Sequence, residues 1–174
     1  GVRFTLQMIW RTKSGTPVLD ETRTVNLYAV DDATVCDVTT EQRASYGALQ
    51  YDATKFGAIC VRTDPRLTPV VGAEIIADGG RRGKAAVAIQ QPNRYVAYES
   101  RSSGGFGVLL AVPGQRPHEW FIRDYGFATY NPMFEQPRTV AQGDTLRVDL
   151  RVVAYDEPLT EERAARWISI SGIS

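Results

Sequence analysis

The sequence holds one histidine, two cysteines and, among twenty basic residues, only the three lysines Lys13, Lys55 and Lys84. Each shortage excludes something. A closed zinc site takes four clustered Cys or His ligands, and His118 with the distant Cys36 and Cys60 cannot supply them, so no metal site and no cofactor is expected. Both cysteines lie in apolar stretches that read as strands. They are expected as buried free thiols, which are inert, although a disulfide would follow if their side chains faced each other. Excess charge of one sign is also missing: twenty basic residues balance twenty acidic ones, and no overall field draws in nucleic acid or an anionic membrane. No run approaches the roughly 18 apolar residues of a spanning helix. Neither a signal peptide, a phosphate-binding Gly-rich loop nor a Gly-x-Ser-x-Gly elbow can be found. The start at Gly1, inside an apparent strand, suggests processing, excision or a larger parent.

What remains is a 174-residue chain with 43% apolar and 23% charged residues, enough for one domain, 1–174, with a real core. Its dominant period is two. Val2, Phe4, Leu6 and Met8 alternate with polar residues, as a half-buried strand demands. Further strands are expected over 18–30, 34–40, 56–62, 70–77, 84–90, 95–99 and 106–112, bounded by Gly, Pro, Asn or Asp. The clearest runs late: Leu146, Val148, Leu150, Val152 and Ala154 face the core, with Arg147, Asp149 and Arg151 outward. One segment is helical, with Thr160 as cap, Glu161 and Glu162 in the first turn, and Trp167 and Ile168 packing on a sheet edge. The fold class is therefore all-β, an antiparallel β-sandwich with a short C-terminal helix.

Chemistry concentrates between Pro113 and Pro132, read as a loop. It carries the only histidine, His118, with Trp120, Arg123, Asp124, Tyr125, Tyr130 and Asn131. Loops between rigid strands are where function collects. Flat aromatic faces flanked by Arg, Asp and Asn suit a sugar ring, whose C–H faces stack while its hydroxyls need donors and acceptors. The alternative is structural, with Arg123 and Asp124 tying the loop down and Tyr125 filling the core. Glu21 and Arg23, two apart on one strand, share a face and either pair structurally or line a cleft. Arg62 ends an apolar strand, where a charge marks a rim.

These residues carry a resemblance. Trp10 with Gly15, the run Leu19 to Arg23, Lys55-Phe56-Gly57 leading to Val61-Arg62, the Gly-rich turn at 79–83, and Trp120 to Gly126 with Asn131-Pro132 follow in order. Together they resemble a bacterial family of uncharacterised proteins labelled methane oxygenase PmoA-like. The resemblance implies a β-rich fold like the sandwiches of galactose-mutarotase-type carbohydrate enzymes, as part of a supersandwich. Members of that family are longer, with an N-terminal half bearing an Asp-His-x-His-His motif, so this chain reads as the C-terminal portion. The tryptophan and aspartate that follow the Gly-rich turn in that family are missing, and Ala86 to Gln90 stand there. Oxygenase chemistry does not fit a chain without spanning helices or metal ligands.

Two functions follow as expectations. The first is a carbohydrate-active or carbohydrate-binding domain with Arg62, Arg123, Asp124, Tyr125 and Asn131 in the ligand cleft, and His118, Glu21 and Asp124 as the available acid–base groups. The second is a non-catalytic domain that packs on a partner chain or on the missing N-terminal half. An unpaired sheet edge with exposed aromatics would favour it.

Overall fold

Alternation along β1 (Val2–Arg11), β2 (Pro17–Val30) and β3 (Ala33–Arg43) produces long antiparallel strands joined by tight turns. In the computed structural model, which describes residues 1–83, 92–102, 104–114 and 116–171, the chain continues through β4 (Leu49–Tyr51), β5 (Ile59–Arg62), β6 (Glu74–Ala77) and β7 (Arg81–Gly83). There follow β8 (Tyr95–Glu99), β9 (Gly107–Ala111), β10 (Trp120–Arg123), β11 (Phe127–Tyr130), β12 (Arg138–Val140) and β13 (Thr145–Tyr155). The helix α1 (Glu161–Ser169) closes it. The molecule is an all-β antiparallel sandwich with one short C-terminal helix.

Among the described residues the largest sheet runs β1-β2-β3-β13-β9-β8-β6-β7. One face, carrying Leu146, Val148 and Leu150, is covered by the small sheet β10-β11-β5 and the pair β12-β4. The other is covered by α1, where Trp167 stacks on Tyr155 at 5.3 Å. Thr160 caps the helix by accepting a hydrogen bond from the Arg163 amide. The central strands β8 and β9 are therefore apolar on both faces, and their alternation disappears.

Several sequence expectations change here. The helix packs Trp167 and Ile168 on the middle of the sheet, against Val35, Leu109 and Val153, and not on an edge. Arg151, expected outward, is buried, because the face of β13 that it occupies is the one α1 covers. Its guanidinium donates to both Asp37 oxygens (2.6 and 2.7 Å) and to the carbonyls of Trp167 and Ile170 that end the helix. The stretch over 70–77 is a strand only from Glu74, since Pro65 and Pro69 start 3-10 turns before it. That over 56–62 pairs only from Ile59. The expected strand over 84–90 lies outside the described residues.

The supposed loop 113–132 is largely the hairpin β10–β11. Trp120 and Ile122 point inward and are fully buried, so Trp120 offers no face to a ligand. The hairpin turns at Gly126 (φ +80°), where a Cβ would sit 2.5 Å from Thr63 Oγ1, so backbone and space both call for glycine.

Candidate functional site

Strand register builds a polar–aromatic cleft. Trp10 lies opposite Leu19, Met8 opposite Glu21, Gln42 opposite Glu21 and Thr40 opposite Arg23. With a side-chain period of two, Trp10, Glu21, Arg23, Thr40 and Gln42 emerge on one face of the sheet. The segment 50–58 forms the facing wall with Tyr51, Asp52 and Phe56, over a cleft of about 470 Å³ floored by Leu19, Leu146 and Val148. Trp10 and Phe56 are half exposed at its rim (50% and 55%).

A sealed carboxylate stands beneath. Glu21 is 1% exposed; its Oε2 accepts from Trp10 Nε1 at 2.7 Å and from Gln42 Nε2 at 3.3 Å. Tyr51 Oη donates to Gln42 Oε1 at 2.9 Å, and burial together with the Glu21 charge raises the Tyr51 pKa. Glu21 Oε1 sits 2.7 Å from Arg23 Nη2 without an aligned hydrogen bond. Arg23 Nε reaches Thr40 Oγ1 at 3.3 Å, leaving Nη1 and a 35%-exposed side chain on the cleft. Indole, amide and guanidinium fix the anion, and the anion fixes them. The indole N–H is spent on Glu21, so the donors left beside the aromatic walls are the Arg23 guanidinium and the second Gln42 amide hydrogen.

Asn131, one of the expected ligand residues, shapes this cleft from behind. Its amide donates to the Thr54 and Phe56 carbonyls (2.8 and 3.0 Å), and its Oδ1 accepts from the Met133 amide. At Gly57 (φ +131°) a Cβ would sit 3.2 Å from that amide, so both backbone and space favour glycine. Asn131 is 2% exposed with these groups engaged, so it holds the wall in place.

Three other expected residues come together elsewhere. Arg62 stacks 5.2 Å from the Tyr125 ring and 5.9 Å from Phe127, while Arg123 lies 5.7 Å from Tyr125 and 5.6 Å from Phe121. This cluster sits on the outer face of β10-β11-β5, and none of its guanidiniums lines the cleft above Glu21. Asp124 is exposed in the hairpin turn beside them. His118 bridges to Asn93 and meets Tyr130 edge-on at 5.1 Å, in a neighbouring cleft of about 410 Å³ with Glu119 and Glu135. Burial and then the Arg116 charge lower its pKa. Burial and the nearby Glu135 raise that of Glu119. The three acid–base candidates Glu21, His118 and Asp124 thus lie in three different places.

Both cysteines are free, but they are not buried: Cys36 is half-buried and Cys60 exposed, because β5 presents its alternate side chains outward on the small sheet. A third cleft, of about 510 Å³, opens on the opposite face over Asp37 and Arg151, whose charged groups are already spent on each other and on the end of α1. Sequence reasoning missed Trp10, Gln42 and Tyr51 as site residues. Trp10 and the Leu19–Arg23 run stood out as motifs, but only register joins them.

The family model of DUF6807, a family of unknown function, matches residues 1–169. The chain belongs to the DUF6807 family. Membership covers the β1–β3 cleft and the β10–β11 hairpin alike, and the family description assigns neither an activity nor a link to the PmoA-like label. No curated protein and no solved structure matches the chain. Among the described residues of this DUF6807 chain, no helix is long and apolar enough to cross a membrane. No group of three or more His, Cys, Asp or Glu side chains gathers as metal ligands among those residues.

Proposed function

We propose that this DUF6807 chain is a carbohydrate-recognition sandwich whose sugar ring enters the cleft between Trp10 and Phe56. The supporting observation is the buried Glu21, which locks Trp10, Gln42 and Arg23 into one arrangement at the foot of that cleft. Such preorganisation lowers the cost of ordering side chains around a weakly held, hydrated ligand. The galactose-mutarotase-type frame implied by the PmoA-like resemblance agrees with this reading. The role proposed is binding, since Glu21 is committed to Trp10, Gln42 and Arg23 and the other expected acid–base groups, His118 and Asp124, lie outside this cleft. Calorimetric titration with a panel of neutral and acidic monosaccharides tests it. Binding should appear for at least one sugar class, disappear in Trp10→Ala and Arg23→Ala, and survive Arg147→Ala on the other face. A panel without heat, on folded protein, would remove the proposal.

A second reading has its own observation. β1 is an edge strand in the described sheet, and Val2, Phe4, Leu6 and Trp10 are exposed on one face of it, with Leu27 beside them. An edge with open hydrogen-bonding groups and an apolar stripe suits strand addition by a partner chain. Charged substitutions at Phe4 and Leu6 that leave sugar binding intact but abolish capture of a partner would favour it.

A further inference from the structure

The outer face of the small sheet offers a different surface. Tyr125, 42% exposed, lies between two guanidiniums, Arg62 at 5.2 Å and Arg123 at 5.7 Å. Phe127 lies 6.3 Å from Tyr125, and Phe56, at 6.3 Å from Phe127 and 4.9 Å from Phe121, extends the aromatic floor. Register explains the layer: Arg123 pairs with Phe127, and Phe127 with Arg62, so charged and aromatic side chains alternate across three strands on one face. Most arginines here are consumed by carboxylates, as Arg94 is by Asp78 and Arg151 by Asp37. Arg62 and Arg123 form no ion pair among the described residues; Arg62 donates only to the Tyr125 carbonyl at 3.4 Å. Cation–π contact holds each guanidinium over the rings while most of its N–H groups stay free, which is how arginine is prepared for bidentate capture of a carboxylate.

We propose that this face binds a carboxylated polysaccharide, a chain of uronate residues laid across Tyr125 and Phe127 with successive carboxylates on Arg62 and Arg123. The rings receive the C–H faces of the sugars and the guanidiniums their charges. An uncharged glycan would use only half of the surface. A nucleic acid would need a wider positive field than a chain with zero formal net charge provides. The proposal goes beyond the Trp10–Arg23 cleft, with which these side chains share only Phe56, and does not require a sugar to bind there.

The test is calorimetry at about 0.15 M salt with a galacturonate hexamer, a neutral glucose hexamer and oligo-dT. The uronate hexamer should bind tightest. Arg62→Ala and Arg123→Ala should each weaken it by about tenfold, the scale of a lost charge-assisted hydrogen-bond pair. Arg62→Lys and Arg123→Lys should recover part of that loss, and Asp124→Asn should tighten binding by removing a neighbouring negative charge. Trp10→Ala should leave hexamer binding unchanged. Equal affinity for oligo-dT, an equally tight neutral hexamer, no heat with the uronate, or indifference to both alanine substitutions would overturn the proposal. Monosaccharide binding in the cleft without hexamer binding would sink this surface and leave the cleft standing; the reverse result would do the opposite.

Discussion

Two ion pairs occupy opposite faces of the same sheet and are built differently. Asp37–Arg151 is sealed beneath α1: the Tyr28 hydroxyl donates to Asp37, and the remaining guanidinium hydrogen bonds end the helix. Glu21–Arg23 is sealed only on the acid side, and its arginine opens on a cleft. In the first, every guanidinium nitrogen is spent on the fold. In the second, some are held in reserve. A buried charge kept in place by its neighbours while its partner faces solvent is costly to maintain for stability alone, and the proposed sugar site on the Glu21 side rests on that asymmetry.

The largest effect should come from breaking the sealed pair. Arg151→Ala leaves Asp37 buried and uncompensated and removes the cap on the last turn of α1, so a loss of about 3–5 kcal/mol is expected in urea unfolding. A loss below about 1 kcal/mol would mean that water already reaches the pair, and the contrast would collapse. Glu21→Gln should cost less, about 1–3 kcal/mol, because a neutral acceptor still serves Trp10 Nε1 and Arg23 can turn toward solvent. The same substitution should abolish sugar binding, measured in parallel.

How far this was legible in the sequence depends on the kind of signal. Alternation in Leu146 to Leu150 and the turn residues disclosed an all-β sandwich, since period two is imposed locally by the strand itself, although Ala154, expected to face the core, is exposed. Arg151 defeated that logic because a helix some ten residues later covers the face it occupies. The cleft was only half readable. Glu21 and Arg23 share a face by spacing, but Gln42 and Tyr51 reach them through pairing between strands, which no local pattern encodes. The Arg62, Arg123 and Tyr125 side chains do lie together, but on an open sheet face and not in a cleft, whereas Asn131 and Trp120 turned inward. Aromatic residues near charges look the same in sequence whether they stack outward or fill a core.

Tyr28 sharpens the comparison at alkaline pH. Burial, the hydrogen bond to Asp37 and the Asp37 charge push its hydroxyl up to about 12, against the lowering effect of Arg151. A raised acid favours the protonated form in the folded state. Its contribution is therefore complete below the ordinary phenol value near 10 and is lost as pH climbs toward 12. Tyr28→Phe should cost about 1 kcal/mol at neutral pH, and that difference from the parent protein should fade over this window. Thermal melts at pH 8, 10 and 11 on the two proteins would show it. An unchanged gap at pH 11 would place the Tyr28 hydroxyl outside the sealed network.

The smallest effect on stability, and the most telling on function, belongs to Arg23→Lys. Arg23 is partly solvated, so screening discounts its pair with Glu21, and a lysine ammonium can replace the charge; unfolding free energy should move by less than about 1 kcal/mol. Yet lysine has no planar fork, and it cannot hold Thr40, Glu21 and a ligand hydroxyl in one plane. Sugar affinity should fall by about tenfold or more while the melting curve stays close to that of the parent. The matched substitution on the other face, Arg151→Lys, should reverse the pattern: the fold weakens and the sugar remains. If both lysine variants weaken the fold alike, the two pairs serve the same structural purpose, and the cleft above Glu21 is a by-product of packing.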